Sequence, residues 1–488
     1  MIQALKTVLP VKEKIRAREE KTLTLLLSEE KAKEQLDFYR KKHQSARERL
    51  LGELMAEKQL DYKEAVQRLN LSASVVRAME EQGVLQVRTR QISRTPLPEI
   101  ETVQEPLLLT EEQQRVAGEI LEEWKGKGRT CLIRGVTGSG KTQVYLKLLE
   151  EVLKKGQQAI VLIPEIALTY QTVMRFCRRF GSQVSVIHSR MSQGERYDQF
   201  ELAKKGQVKI MIGPRSALFT PFPNLGLILI DEEHEGSYKS ENTPRYHARE
   251  TAIARAALEG ARVVLGSATP SVDAFYQCEL GNYRLLTLTE RYENRPLPRV
   301  EIADMRQELR EGNRSIFSRR LQEAMEDRLE KGEQIMLFLN RRGYAGFVSC
   351  RSCGHVVKCP HCDVSLSEHR GGVLVCHYCG YQRPGLLRCP SCGSPYIGGF
   401  RAGTQQIEQL VKKRFPGAGV LRMDLDTTRK KGGHEKILEA FAEKKASILI
   451  GTQMIVKGHD FPGVTLVGVL AADLSLHGGD YRAAERTF

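Results

Sequence analysis

The run Gly135-Val136-Thr137-Gly138-Ser139-Gly140-Lys141-Thr142 leaves this chain little choice of architecture. An apolar segment (131–136) leads into it and a helix-patterned segment leaves it, so it reads as the turn of a β-loop-α unit in a parallel sheet. Glycines at such a turn let backbone N–H groups wrap phosphates at a helix N-terminus. Gly135, Gly138 and Gly140 would supply the bends, Lys141 would reach the β- and γ-phosphates, and the Thr142 hydroxyl would ligate a metal. The cofactors these residues predict are ATP and Mg²⁺.

Apolar runs at 159–164, 184–189, 209–213, 227–234 and 262–269 alternate with helical stretches. Continuous Val/Ile/Leu runs between helices describe parallel strands buried on both faces. A second set lies at 334–340, 420–426, 447–453 and 466–473, beyond a proline-bearing join at 295–299. The predicted fold class is α/β, with two RecA-like parallel-sheet lobes. The run 227–230 ends in Asp231-Glu232-Glu233-His234. A carboxylate at a strand's C-terminal end can hold the metal, and its neighbour can take a proton from water. Asp231 is therefore assigned to Mg²⁺ and Glu232 to general base, with Lys141, Asp231 and Glu232 as the catalytic set.

Eight of the eleven cysteines fall between 350 and 392, as four C-x-x-C pairs: Cys350/Cys353, Cys359/Cys362, Cys376/Cys379 and Cys389/Cys392. In a chain whose first thirty residues are densely charged rather than signal-like, these read as metal ligands and not disulfides. Two tetrahedral sets of four thiolates suit two structural Zn²⁺ ions, with His355, His361 and His377 as bystanders. Spacing alone permits three groupings of the four pairs. The chain carries 75 Lys plus Arg against 60 Asp plus Glu, a balance that favours a polyanionic partner. The zinc-loaded insert itself nets only about −1, so shape, stacking from Phe347, Tyr378 and Tyr381, or protein contacts would govern what it meets. No stretch is long and apolar enough to predict a membrane span.

Towards the N-terminus the pattern predicts a strand at 21–27, one long helix at 29–57 capped by Ser28, two short helices at 62–69 and 73–81, and a strand at 84–92. Two short helices, a tight turn and a following strand suggest a winged helix-turn-helix, with Arg88 and Arg90 on one strand face toward DNA. A small helical adaptor without DNA contact is the competing reading. Residues 95–108, with three prolines, read as a linker.

Together the DEEH box, Ser267-Ala268-Thr269, the cysteine insert after Asn340-Arg341-Arg342-Gly343, and Gly451-Thr452-Gln453-Met454 with Lys457-Gly458-His459-Asp460-Phe461 resemble superfamily 2 helicases. Among these, the chain resembles the primosomal protein N′ family of replication-restart helicases. The resemblance implies an ATP-driven 3′-to-5′ DNA helicase that recognises stalled forks and starts primosome assembly. It implies forked and single-stranded DNA, single-strand-binding protein, other primosome proteins and the replicative helicase loader as partners, in a bacterial cytoplasm at the nucleoid. It gives Gln113, in Leu109-Thr110-Glu111-Glu112-Gln113, an adenine-reading role. Residues 164–169 and Gly213-Pro214-Arg215-Ser216-Ala217 become strand-tracking motifs, with Arg215 on phosphate. An aromatic-rich loop would place Tyr238 and Tyr246 on bases and Lys239, Arg245 and Arg249 on phosphates. For the zincs it implies nesting, with the outer cysteine pairs on one ion and the inner pairs on the other.

The domains expected are 1–10 as the tail of a 3′-DNA-end-binding domain, 11–100 as the winged-helix-like domain and 101–294 as lobe 1. Lobe 2 would take 295–345 and 398–488, with the zinc insert at 346–397. Residues 1–10 resemble only the tail of the family's first domain, and its Q-x-x-G-R-x-G-R arginine stretch does not appear before Phe488, so truncation at both ends and an incomplete lobe 2 are expected. A non-motor DNA-binding scaffold whose nucleotide site regulates assembly, and a translocase that moves on duplex without separating strands, are the alternatives.

Overall fold

A computed structural model describes residues 18–92, 107–165, 170–189, 191–291, 296–339, 347–369, 371–399, 402–424, 426–428, 433–455, 461–477 and 481–487. The expectations for residues 1–10, most of the proline linker, 166–169, 340–343 and 456–460 lie outside these, as does the side chain of Arg90.

In the N-terminal part, β1 (Arg18–Leu25) is followed by α1 (Glu29–Lys41) and α2 (Ser45–Glu57), then β2 (Gln59–Asp61), α3 (Tyr62–Arg68), α4 (Ala73–Glu81) and β3 (Leu85–Ile92). The expected single helix over 29–57 is in fact two. His43 takes a positive φ of 53° and the chain doubles back there, so that Tyr39 of α1 and Leu50, Leu51 and Leu54 of α2 enter one core. No proline or glycine marks the break; packing made it. Ser28 sits at the N-cap of α1 without a side-chain capping bond. The expected strand after the two short helices is β3, which pairs antiparallel with β1 over eight residues, in a sheet ordered β2-β1-β3. Arg88 lies opposite Thr22 and is exposed.

Seven parallel strands make the central sheet: β4 (Thr130–Gly135), β5 (Gln158–Leu162), β6 (Val184–Val186), β7 (Ile210–Gly213), β8 (Leu225–Ile230), β9 (Arg262–Ser267) and β10 (Tyr283–Leu288). Their order is β10-β4-β9-β8-β5-β7-β6. Alternate side chains feed opposite cores. Ile133, Val161, Ile212 and Leu229 face one, and Leu132, Ile160, Met211 and Ile228 the other, which is why these strands read as unbroken apolar runs. The helix α5 (Glu111–Lys125) precedes β4, and α6 (Lys141–Lys154) follows the glycine-rich turn.

A second parallel sheet contains β11 (Gln334–Leu339). The cysteine module follows it, with short strands β12 (Val348–Cys350), β13 (Ser367–Glu368), β14 (Val373–Val375), β15 (Gln382–Pro384) and β16 (Ile397–Gly399). The chain then re-enters the sheet as β17 (Val420–Met423), β18 (Ile448–Gly451) and β19 (Val464–Leu470), in the order β17-β18-β11-β19. On the edge strand β19, Val467 and Val469 are exposed.

Candidate nucleotide site and metal centres

The residues picked out for chemistry in the first lobe converge because strands in a parallel sheet share one carboxyl end. Gly135 closes β4, Asp231 follows β8, and Ser267 closes β9, which lies between them. Gly138 and Gly140 take φ of 82° and 79°, values that side-chain-bearing residues adopt only under strain. The Lys141 ammonium donates to the Gly135 carbonyl at 2.7 Å, folded over the turn it would share with a phosphate.

Gln113 is built into this turn. Thr110 caps α5 in a reciprocal box, accepting from the Gln113 amide while Gln113 Oε1 accepts from the Thr110 amide at 3.1 Å. Gln113 Nε2 then donates to the Ser139 carbonyl at 3.0 Å. A Cβ added at Gly140 would lie 2.3 Å from that nitrogen. One end of the side chain therefore closes the cap of α5 while the other holds the 135–142 turn, tying helix and turn together.

The acidic strand end is more elaborate than its sequence suggested. Tyr145, one turn beyond Lys141 on α6, donates its hydroxyl to Asp231 Oδ1 at 2.9 Å. To do so it crosses the end of β9, and Gly266 leaves the space: a Cβ there would lie 1.7 Å from the hydroxyl. Tyr145 gave no sequence signal, since a tyrosine among core positions of a helix looks like packing. Burial and the charge of Glu232 push the Asp231 carboxyl up to about 6, against the pull of the Tyr145 bond and Lys141. Glu232 stands at φ 49°, and its Oε2 lies 3.5 Å from His234 Nδ1. That same nitrogen is 2.7 Å from the Ser267 hydroxyl, which also accepts from the Thr269 amide at 3.0 Å. The DEEH box and the Ser267-Ala268-Thr269 step are thus joined by one side-chain bond.

Several expected DNA contacts are placed elsewhere. Tyr238 is buried, and its hydroxyl donates to the Asp231 carbonyl at 2.6 Å and the Leu162 carbonyl at 3.0 Å. It cannot stack on a base; it holds the acidic turn against β5. Arg249 is buried too. Its Nη1 is paired with Glu233 and donates to the Ser271 hydroxyl at 2.9 Å, and Ser271 donates to Glu233 through both its hydroxyl and its amide. The family resemblance had implied DNA contacts for both, which their burial does not allow. Arg215 Nη1 donates to the carbonyls of Ser237 and Lys239, at 2.7 and 2.6 Å, pinning the loop that carries them. Tyr246 is half-buried, edge-on to Phe219 at 5.3 Å. Lys239, Arg245 and Arg88 are exposed.

In the cysteine module, Cys350, Cys353, Cys389 and Cys392 converge, and so do Cys359, Cys362, Cys376 and Cys379. The structure thereby settles the grouping that spacing left open. Sγ separations are 3.7 Å for Cys350–Cys392, 3.7 Å for Cys353–Cys389 and 3.6 Å for Cys359–Cys379. Four sulfurs around Zn²⁺ at about 2.3 Å would stand about 3.8 Å apart, so both tetrads fit that ion. All four C-x-x-C segments form the same knuckle. The residue after the second cysteine (Gly354, Asp363, Gly380 or Gly393) has positive φ and donates its amide to the first cysteine's carbonyl. Among the expected stacking aromatics, Tyr378 is exposed, whereas Phe347 is buried edge-on against the His477 ring at 4.7 Å.

The DEAD/DEAH box helicase family matches residues 110–276, and the PriA DNA helicase Cys-rich region (CRR) domain matches residues 359–384. The replication restart protein PriA of Bacillus subtilis (strain 168) is 51% identical over 429 residues, covering 87% of this chain and 53% of that protein. That of Synechocystis sp. is 46% identical over 428 residues, covering 86% and 51% respectively. The chain belongs to the PriA family. It spans about half the length of the curated PriA proteins it matches. Among the described residues, no helix is long and apolar enough to cross a membrane.

Proposed function

We propose that the chain provides the ATP-driven motor of a 3′-to-5′ DNA helicase that acts on stalled or repaired replication forks and initiates primosome assembly. The observation that carries this reading is the convergence of the Lys141 turn and the Asp231 carboxylate, linked through Tyr145, at one end of the seven-stranded sheet. Kinship with PriA supports the polarity and the restart role.

On this reading the amides of the 135–142 turn wrap the triphosphate, and Lys141 leaves the Gly135 carbonyl to meet the β- and γ-phosphates. Thr142 and Asp231 would hold Mg²⁺, which when bound neutralises charge on the transferred phosphoryl group. Glu232 accepts a proton from the attacking water. His234, bonded to Ser267, carries the change at the acidic turn to the Ser267-Ala268-Thr269 step. Two Zn²⁺ ions would close the cysteine tetrads as structural sites, since four thiolates leave no open position. Forked and single-stranded DNA, single-strand-binding protein, primosome proteins and the helicase loader are the proposed partners, in the bacterial cytoplasm at the nucleoid. Exposed Arg88, Lys239 and Arg245 are the surface cations proposed for DNA.

The deciding experiment is ATP hydrolysis with and without forked DNA, followed by strand displacement on the same forks. DNA should stimulate hydrolysis, and Lys141→Ala should abolish it. A Lys141→Ala protein that hydrolyses ATP at the wild-type rate places the nucleotide elsewhere and ends the motor reading.

A further inference from the structure

Beside the phosphate turn stands a cation that none of the motifs above contains. In the sheet, β10 pairs parallel with β4, with Leu288 opposite Gly135, so the chain leaves β10 where the phosphate turn begins. The Val136 amide donates to the Leu288 carbonyl at 3.3 Å. Just beyond, the Glu112 carboxylate, one residue before Gln113 on α5, accepts from the Thr289 amide and hydroxyl, each at 2.9 Å, and from the Glu290 amide at 3.2 Å. Those three bonds fix the backbone that delivers Arg291.

The Arg291 guanidinium lies on the turn itself. Its Nε donates to the Thr137 carbonyl at 3.1 Å. A Cβ added at Gly138 would lie 3.3 Å from that Nε and 3.5 Å from Nη2. On its other side, Nη1 donates to the Pro296 carbonyl at 2.6 Å, on the stretch leading to the second sheet. Among the described residues no carboxylate pairs with Arg291, and its Nη2 donates to no protein acceptor. An arginine beside a glycine-rich turn, whose Nη2 meets no acceptor and which meets no counter-ion among the described residues, is matched to an anion.

From this geometry we infer that Arg291 is a further nucleotide-binding residue, contacting the phosphate chain of the nucleotide held by the 135–142 turn. Through Pro296 it also ties occupancy of that turn to the stretch between the two sheets. The inference rests on the nucleotide reading of that turn. A cation placed from outside the glycine loop adds charge where Lys141 supplies only one, and with Nε and Nη1 held by backbone carbonyls the N–H groups of Nη2 are oriented for phosphate oxygens in a way a lysine ammonium would not be.

The test measures binding of ADP and of adenosine to the full chain by calorimetry, for wild type, Arg291→Ala, Arg291→Lys and Lys141→Ala. Arg291→Ala should weaken ADP about tenfold, as loss of a hydrogen bond to a charged group does. Adenosine, lacking phosphates, should bind the variant and wild type alike, and Arg291→Lys should recover part of the loss. A merely structural arginine would weaken both ligands together. Equal ADP affinity in Arg291→Ala and wild type, with Lys141→Ala still defective, overturns this inference and leaves the nucleotide site standing. Equal ADP affinity in Lys141→Ala and wild type overturns the site itself. Should Arg291→Ala fail to fold, the lysine variant carries the comparison: ADP affinity undiminished in Arg291→Lys sinks the guanidinium contact.

Discussion

Asp231 carries opposing demands. Burial and the adjacent Glu232 charge raise its carboxyl to about 6, so the folded protein takes up a proton there more readily than an exposed aspartate would. Above that value the group is a carboxylate that can hold a divalent cation; below it the charge is lost. The magnesium concentration needed for half-maximal nucleotide binding should therefore climb as pH falls from 7 to 5. The Tyr145 hydroxyl opposes the upward shift by donating to Oδ1. Tyr145→Phe should move that climb to higher pH, by about half a unit or more, as expected for one lost hydrogen bond to a charged group. A magnesium requirement flat across this range, or unmoved by the phenylalanine, contradicts the assignment. Sequence pointed to Asp231 through its strand-end position, yet Tyr145 reaches it only because its ring passes over Gly266 of β9. Tyr238 shows the converse. Resemblance to an aromatic-rich loop implied an exposed stacking group, whereas two backbone carbonyls take its hydroxyl inside the core.

Between elements, the Glu233–Arg249–Ser271 cluster joins the acidic turn after β8 to two helices. Arg249 lies in the first turn of the helix Ala248–Glu259, and Ser271 caps Val272–Glu279. Glu233 is only 2% exposed, so removing its partner leaves a buried charge uncompensated. Arg249→Ala should cost about 3–5 kcal/mol in stability, read from urea unfolding. A loss no larger than a surface substitution gives would show that water reaches Glu233. Element types were largely legible, because fully buried parallel strands must be apolar on both faces, and all four strands of the second sheet fall on predicted runs. The edge strand β10 escaped because Tyr283 and Arg284 begin it and its burial alternates. The break at His43 escaped for a different reason: Tyr39 and Leu50 meet across it, and only that meeting rewards the turn.

For the whole molecule, the two tetrads predict two zinc ions per chain, released and counted with a colorimetric chelator after denaturation. Cys350→Ser and Cys359→Ser should each lower the count by one, because each tetrad closes its own ion. Loss of both ions from either single variant would mean that the sites form one cooperative unit. Loss of neither would remove the metal reading of that tetrad. Local chemistry was written in order along the chain: a phosphate-wrapping turn, an acidic strand end and four thiolate knuckles, each complete within a dozen residues or fewer. Such features depend on backbone geometry and nearest neighbours, so sequence determined them unaided. Which cysteine pairs share an ion, which polar groups go inside, and which arginine reaches the phosphate turn depend on contacts tens to more than a hundred residues apart. Arg291 meets Thr137 across 154 positions. Only the order of strands in the sheet brings such groups together, and that order is a property of the packed core rather than of any stretch of the chain.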